Sequence, residues 1–434
     1  ALFFAVHPAN AESVAYIASI GEVLFTFFIL LAFLAVLKRS MWAFFALTFL
    51  GLLAKETAVV ILPIVLLYFF IFKKPKPSFY LQFAGGSFGI LSVYFFLRFF
   101  IGRIPLEQFH LTPIGQASFL QRVFTFPLEI FVYLKTLFFP LYLAIYQNFV
   151  VQSVSDIRFW GVSLFLLLLA LLVGVFLKRQ NGESRKLYLF GIVWFFIGLF
   201  PVSNLVFALD MTVAERWLYF PAMGFYVFLS LLIVQILRVL KGMPRKAFVV
   251  FIAGAFLALS ARTIVRNFDW RNDISLYSHD IQYSKNSFEL ENNYGKALYL
   301  AGKTGEAEAH FQKALVLEPN SPQVYNNFGA MLFEEGNYEQ AEIQFRKAVA
   351  LRDLYSAYEN LAVVLFESGK LDEAELFIRD ALLKFPDNPK LNLILAVIYY
   401  QEEKPKAEIM PLLSKTLASD PANEDAKKLY NLIQ

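Results

Sequence analysis

The chain of 434 residues contains no cysteine. That excludes disulfides, thiolate zinc sites and a cysteine nucleophile. Charge is also scarce: 17% of residues are charged against 58% hydrophobic, with a formal net charge of +4. The basic residues lie between apolar runs, with no basic patch interleaved with aromatics of the kind that grips nucleic acid. There is no Walker loop, no HExxH, no nucleophile elbow and no paired-Asp motif. No metal site is read from the chain, and metal dependence is left open. A start methionine and the basic n-region of a signal peptide are missing too, since Ala1 runs straight into Leu2-Phe3-Phe4. The natural protein is therefore expected to begin upstream of Ala1.

What is abundant is phenylalanine, with 50 residues, and it is unevenly placed. Residues 1–263 are apolar runs with short basic breaks, and 264–434 are polar and charged. The expected fold is all-α: a polytopic membrane domain over 1–263, a linker and half-repeat cap over 264–287, and a helical repeat domain over 288–434. The spanning runs are Val14–Leu37, Met41–Ala54, Thr57–Phe72, Ser78–Ile101, Ile157–Leu177, Leu187–Leu205, Trp217–Leu237 and Arg245–Ser260. A single helix over 41–72 would be about 48 Å long, against a hydrocarbon core of about 30 Å. Two short helices meeting at Lys55-Glu56 are expected instead. Gly85-Gly86 and Gly89 sit inside an apolar run and read as close helix packing. The basic loops are Lys38-Arg39, Lys73-Lys74-Lys76, Lys178-Arg179-Arg185-Lys186 and Arg238-Lys241-Arg245-Lys246. They alternate as cytoplasmic loops if the chain starts outside and Phe126–Ile145 lies in the interface or re-enters. Everything after Arg262 is then expected outside the cytoplasm.

The second half repeats at a period of roughly 34 residues, the length of a helix–turn–helix repeat. Gly302, Glu306-Ala307, Phe311, Ala314 and Pro319 return as Gly336, Gln340-Ala341, Phe345 and Ala348, then as Gly369, Glu373-Ala374, Ile378, Ala381 and Pro386. Small residues allow two helices to pack closely, and the aromatic fills the gap between pairs. The pattern resembles the tetratricopeptide repeat (TPR). A weaker fourth copy covers about 390–421, with Glu424–Ile433 as a capping helix. Ile274–Lys285 matches half a repeat, with Tyr277 in the place of Phe311 and Trp270 packing near that end. Asn293, Asn327 and Asn360 occupy one place in three successive repeats. As donor and acceptor together, such amides suit the backbone of an extended peptide, in a row resembling the asparagine ladder of O-linked N-acetylglucosamine transferase. The same amides equally suit bonds to the neighbouring helix. His279 and His310 read as surface histidines of repeat helices.

In the first half the chemistry lies in polar interruptions. His7-Pro8-Ala9-Asn10-Ala11-Glu12 precedes a long apolar helix, and Gly21-Glu22 follows. Ionisable groups at or within a bilayer are costly, so each marks either function or a pair. Lys55-Glu56 splits an apolar run, and Lys55 suits a phosphate or a structural ion pair. Ala214-Glu215-Arg216-Trp217 opens another helix, with Asp210 nearby. Arg216 suits a phosphate, or serves with Trp217 and Tyr219 as an interface anchor. Glu107 and His110 fall in an outer loop without an identified partner.

His7-Pro8-x-x-x-Glu12-Ser13-Val14-Ala15-Tyr16-Ile17, Leu53-Ala54-Lys55-Glu56-Thr57, Ala214-Glu215-Arg216-Trp217-Leu218-Tyr219-Phe220-Pro221 and a Trp270 segment leading into TPRs occur in this order. Together they resemble the transmembrane and TPR repeat-containing family, protein O-mannosyltransferase-like members of the GT-C superfamily. A bacterial member is expected. The resemblance implies sugar transfer from a polyprenyl-phosphate donor to Ser or Thr of a polypeptide on the outer or lumenal face. It places the main catalytic carboxylate upstream of Ala1, with His7 and Glu12 in support and Lys55 and Arg216 on the donor phosphate. Asn293, Asn327 and Asn360 would line a groove for the acceptor or a partner. The location implied is a bacterial inner membrane with the TPRs on the periplasmic or extracellular side. The alternative is a non-catalytic, membrane-anchored TPR adaptor, and a transporter ranks last because no inverted repeat is apparent.

Overall fold

A computed structural model describes residues 1–103 and 111–434. Glu107 and His110 lie outside the described residues. The chain divides into two compact units, Ala1–Ser287 and Phe288–Gln434.

The first unit is built from α1 (Leu2–Ala5), α2 (Ala11–Ala15), α3 (Ile20–Leu37), α4 (Met41–Ala54), α5 (Ile61–Tyr68), α6 (Pro77–Phe96), α7 (Pro113–Gln116), α8 (Phe119–Phe138), α9 (Ile157–Lys178), α10 (Gly182–Leu199), α11 (Pro221–Val239), α12 (Gly242–Asp269) and α13 (Asp273–Asp280). Among the described residues, seven helical stretches are long and apolar enough to cross a membrane: Ile17–Leu37, Glu56–Lys73, Pro77–Ile101, Ile157–Lys178, Gly182–Val202, Pro221–Val239 and Gly242–Asp269. The 14-residue α4 is apolar but short. It packs inside the unit, with Phe44, Thr48, Gly51 and Leu52 buried. A Cβ at Gly51 would stand 3.1 Å from Ile29 Cγ2. α9 buries no residue fully and exposes Leu164, Leu167, Leu171 and Leu172. An apolar helix with so many leucines exposed is one whose solvent is lipid. The chain is therefore a polytopic membrane protein.

Helix boundaries depart from the apolar runs for local reasons. The run from Val14 is interrupted at Tyr16, whose backbone is extended (ψ 111°). α11 begins at Pro221 rather than Trp217, because proline fits the first helical position and lacks the N–H that an interior position needs. α12 continues to Asp269, nine residues past Ser260, carrying Arg262 and Arg266 beyond the apolar stretch. Of the three glycines read as a packing face on α6, Gly86 alone sits against a neighbour, the ring of Phe45, while Gly85 and Gly89 face open space.

α8 is capped by a reciprocal Ser118–Gln121 box and carries Pro127. It is tied at both ends to the same end of the bundle. Gln121 near its start donates to Gln152 (2.6 Å), and Thr125 Oγ1 accepts the Val151 N–H (2.9 Å). Segment 147–149 pairs with 212–213. The Leu137 carbonyl at its far end meets His7 (3.2 Å), whose segment is fastened to residue 216 through Glu12. A helix with both ends on one side lies along the bundle's edge.

The second unit is all-helical: α14 (Phe288–Leu300), α15 (Thr304–Leu317), α16 (Pro322–Glu334), α17 (Tyr338–Leu351), α18 (Tyr355–Glu367), α19 (Leu371–Lys384), α20 (Pro389–Gln401), α21 (Lys406–Ser419) and α22 (Glu424–Ile433). The turns inside successive pairs hold Gly302, Gly336 and Gly369 at φ 77°, 77° and 72°, a left-handed conformation that glycine adopts at least cost. Glu403 takes the corresponding place at φ 56°. That substitution, with Pro411 inside α21, explains why the fourth copy is faint in sequence. The repeat's small residues are its core: Ala307, Ala314, Ala341, Ala348, Ala374 and Ala381 are buried around Phe311, Phe345 and Ile378.

Candidate functional site

The polar island folds back on itself. His7 is 1% exposed. Its Nδ1 accepts the Ala9 N–H (3.3 Å), which leaves Nε2–H to donate to the Leu137 carbonyl (3.2 Å). Burial lowers its pKa to about 4. With both nitrogens engaged and the neutral form favoured, the ring joins α8 to the start of the chain and has no free nitrogen with which to take a proton. The structure thus places His7, expected in catalytic support, at a joint between α8 and the start of the chain.

Glu12 is fully buried. It accepts the Arg216 backbone N–H (2.9 Å) and forms an ion pair with Arg216 Nη1. Ser13 Oγ donates to the Arg216 carbonyl (3.4 Å). One anion and one cation singled out separately in the sequence therefore hold each other. Arg216 also lies over Trp217 at 5.6 Å. Its Nη2 faces the Met211 sulfur at 3.6 Å, a weak acceptor for a guanidinium donor. One side of this half-buried cation is satisfied by a carboxylate and the other meets a thioether.

Lys55 occupies an extended break (φ −163°) between α4 and the short 3-10 turn Glu56–Val60. Its ammonium pairs with Glu22 in the first turn of α3. The approach needs a bare backbone at residue 21, because a Cβ there would lie 3.2 Å from the Ala54 carbonyl oxygen. Glu56 in turn meets Arg98 at 3.3 Å. Glu22 lies within electrostatic reach of Lys55, Arg216 and Glu12 together. The fold thus gathers both expected phosphate-binding cations onto one end of the bundle, each already paired to a carboxylate.

Behind this cluster is a knot at Arg266, which is fully buried. Its Nη1 donates to Asp280 Oδ1 (2.6 Å) and its Nη2 to Asp280 Oδ2 (3.3 Å), while Asp269 stands at 3.5 Å and Glu215 at 3.8 Å. Asp280 also accepts the Ile145 N–H (2.8 Å) and touches His279 Nδ1 (2.8 Å). Burial alone would raise the Asp280 pKa, but His279 and Arg266 outweigh it and hold it below the ordinary carboxylate range. Burial raises Glu215 to about 8 against the pull of Arg266. His279, expected at the surface, is half-buried within this knot. Residues 266–280 fasten α12 and α13 to the 139–146 segment. A second buried acid, Glu129 on α8, accepts from Asn204 (3.2 Å), and burial raises it to about 9. Among the described residues no group of three or more His, Asp or Glu is placed to hold a metal.

Two cavities adjoin these clusters. A cleft of about 340 Å³ is lined by Tyr16, Asp210, Met211, Arg216, Trp270, Asp273 and Tyr277 with neighbouring backbone. A larger groove of about 650 Å³ runs between α8, α9, α10 and α11, walled by Phe126, Leu134, Phe138, Leu169, Val173 and Phe228 among others, and is almost wholly apolar.

In the second unit, Asn327 donates to Asn292 and Asn360 to Asn326, each at 3.0 Å, while Asn293 accepts from Asn292 (3.2 Å). Two of the three amides read as peptide ligands, Asn327 and Asn360, thus give a donor to the preceding repeat. Each is half-buried, so part of each amide still faces solvent. His310 is half-buried against Glu291 (2.6 Å), which also pairs with Lys313, so it is not a bare surface histidine.

The sequence left three things unseen. Glu22 was visible as polar, but its pairing with Lys55 joins residues 33 positions apart. Arg266 and Asp280 fell in what read as a linker. Tyr16, Trp270 and Tyr277 converge on one cleft from three separate segments. The available signal for the last was that Trp270 and Tyr277 follow directly on a charged extension of α12.

Fold and site define a polytopic membrane protein carrying a tetratricopeptide repeat array. Tetratricopeptide repeat models match residues 286–353, 331–389 and 359–424. The chain is similar to several curated proteins named as protein O-mannosyl-transferases. It is similar to protein O-mannosyl-transferase TMTC3 of Homo sapiens, 33% identical over 165 residues, covering 38% of this chain and 17% of that protein. A protein O-mannosyl-transferase of Caenorhabditis elegans is 28% identical over 330 residues, 74% of this chain and 45% of the relative. The match thus spans less than half the length of these relatives. Among solved structures, YrrB, a TPR protein with an unusual peptide-binding site, is similar at 18% identity and a TM-score of 0.32, over 36% of this chain and 81% of that one.

Proposed function

We propose that this protein takes part in protein O-glycosylation, moving a sugar from a polyprenyl-phosphate donor to a Ser or Thr hydroxyl, with the TPR array holding the acceptor or a partner. In that reaction the bond from the anomeric carbon to the phosphate oxygen breaks and the bond to the hydroxyl oxygen forms. The hydroxyl proton passes to a carboxylate, and the phosphate leaves with its electron pair, steadied by cations. The observation that carries this reading is Arg216: half-buried, ionised against Glu12, and left with its second amino group on a sulfur. A phosphate oxygen is the ligand that such a half-satisfied guanidinium fits. Lys55 stands on the same end of the bundle as a second cation, bound to Glu22 until a stronger anion arrives. The apolar groove along α8 and α9 suits a polyprenyl chain. The names of the relatives support the reaction class. By the alternation of basic loops, the cluster and the TPR array face the outer side, and the membrane is taken to be a bacterial inner membrane.

One observation favours the adaptor reading: His7 and Glu12 are both engaged in internal bonds, so neither is free to serve as the base. The test is a transfer assay on the full chain in membranes, with radiolabelled polyprenyl-phosphate sugars and a Ser/Thr-rich acceptor. Label on polypeptide, lost in folded Arg216→Ala or Lys55→Ala protein, is the expected result. No transfer with any donor, while the full chain still captures a polypeptide, would leave the adaptor standing.

A further inference from the structure

The cleft beside Arg216 has features that phosphate binding does not use. Its walls include three aromatic rings, Tyr16, Trp270 and Tyr277, from three segments. Tyr16 and Trp270 lie 5.8 Å apart with a 37° tilt, and Tyr16 stays 43% exposed. Trp270 is backed by the Arg266 guanidinium at 5.5 Å, which fixes it in place. Its indole N–H is buried and has no hydrogen-bond partner among the described residues. Buried donors are nearly always paired, and this one belongs to a ring that lines the cleft. Two carboxylates, Asp210 and Asp273, line the same cleft. Asp210 feels the Arg216 charge but, like Asp273, makes no side-chain hydrogen bond among the described residues. The Nη2 of Arg216 and the sulfur it meets, on Met211, both belong to lining residues.

A pyranose fits this set of groups. Its C–H faces pack on aromatic rings, its hydroxyls donate to carboxylates, and its oxygens accept from an indole N–H. At about 340 Å³ the cleft is near the small end of the roughly 300–1,000 Å³ range of small-molecule sites, the size for one sugar unit rather than a chain. We infer that the cleft is the sugar subsite of the lipid-linked donor: one hexopyranosyl unit held by Tyr16, Trp270 and Tyr277, with Asp210 and Asp273 on its hydroxyls and its phosphodiester at Arg216. The inference rests on the donor reading above and adds the residues that distinguish sugar from bare lipid phosphate.

The experiment measures binding to the full chain in lipid nanodiscs of two radiolabelled probes. One is a short polyprenyl phosphate esterified to a hexose. The other is the same lipid phosphate carrying a methyl ester, which keeps the diester charge and removes the sugar. The hexosyl lipid is expected to bind about tenfold tighter, the effect of roughly one well-placed polar or aromatic contact beyond the shared phosphate. Trp270→Phe and Asp273→Asn should each weaken the hexosyl lipid about fivefold, near the loss of one hydrogen bond, and leave the methyl ester unchanged. Unchanged methyl-ester binding also reports that the variants fold. Arg216→Gln should weaken both probes. Equal affinity of the wild-type protein for the two probes would overturn the sugar subsite and leave the phosphate reading intact. A parallel loss of both probes in Trp270→Phe and Asp273→Asn would reduce these residues to structural ones and overturn it too. Binding of neither probe would remove the donor reading and the subsite with it.

Discussion

The two units handle charge in opposite ways. In the repeat array several ion pairs lie on the surface: Lys303–Glu306, Lys384–Asp353 and Lys428–Asp425 join side chains that are about half exposed or more. Water screens each one, and each contributes little. In the membrane unit charges are fewer, and in the pairs of the polar cluster at least one partner is buried: Arg266 with Asp280, Arg216 with Glu12, Lys55 with Glu22. Desolvation there makes each partner depend on the other. A charged residue of those surface pairs is therefore replaceable, and one of the buried pairs nearly irreplaceable.

The sharpest way to break that comparison is a pair of single substitutions. Arg266→Leu leaves Asp280 and Glu215 buried without their cation, and is expected to lower stability by about 3–5 kcal/mol. Lys303→Ala should change it by no more than about 0.5 kcal/mol. Thermal unfolding of the detergent-purified protein, followed by circular dichroism, reads both. Similar losses in the two variants would show that burial does not set the importance of charge in this protein.

Close packing gives a second contrast. A Cβ at Gly224 would lie 2.5 Å from the Gly191 carbonyl oxygen and 2.7 Å from the Phe195 nitrogen, so α10 and α11 meet backbone to backbone. A Cβ at Gly329 would meet the ring of Phe345 at 2.8 Å, and a ring can tilt. Gly224→Ala should cost about 3 kcal/mol and Gly329→Ala about 1 kcal/mol, the upper and lower ends of overpacking. The same unfolding assay decides, and a larger loss for Gly329→Ala would mean the repeat core is the less forgiving of the two.

Acid tests the polar island. His7 stays neutral in the folded protein down to about pH 4, whereas an unfolded chain protonates it near 6.5. The folded state binds fewer protons in that window, so stability is lost as pH falls from 6.5 towards 4. The change from pH 7 to pH 5 is about 2 kcal/mol on that shift. Glu129 and Glu215 tilt the curve the other way, since their raised values make stability fall as pH rises above 4.5. The readout is therefore the difference between wild type and His7→Gln, which should narrow by that amount at pH 5. A difference that stays constant with pH would mean that His7 is not held neutral.

The units also differ in how far sequence reveals them. The repeat array is legible because its rule is local: Gly302, Gly336 and Gly369 mark turns, and Ala307 with Phe311 marks a helix contact a few residues away. The spanning helices are legible from composition, and the basic loops order them. What composition cannot carry is partnership. Nothing near Glu12 names Arg216, 204 positions on, and nothing in the neighbourhood of Trp270 names Tyr16. The residue types at the site were readable because charge in an apolar run stands out. Their pairing was not, because it is decided by which helix ends meet, and that depends on packing across the whole unit.

The smallest expected effect sits in the asparagine row, where the repeat unit most nearly copies the membrane unit's habit of buried pairing. Asn327→Ala removes the donor to Asn292 and should lower stability by about 1 kcal/mol, the net value of one such bond. A double-mutant cycle with Asn292→Ala isolates it. If the two amides serve each other, each single variant loses about 1 kcal/mol and the double variant little more, a coupling within the usual range of contacting pairs. Additive losses would mean that the amides act separately, with Asn327 free to turn to a peptide. The row would then be a binding surface that happens to touch its neighbour, and the contrast between a scaffold of exposed pairs and a membrane unit of buried ones would be complete.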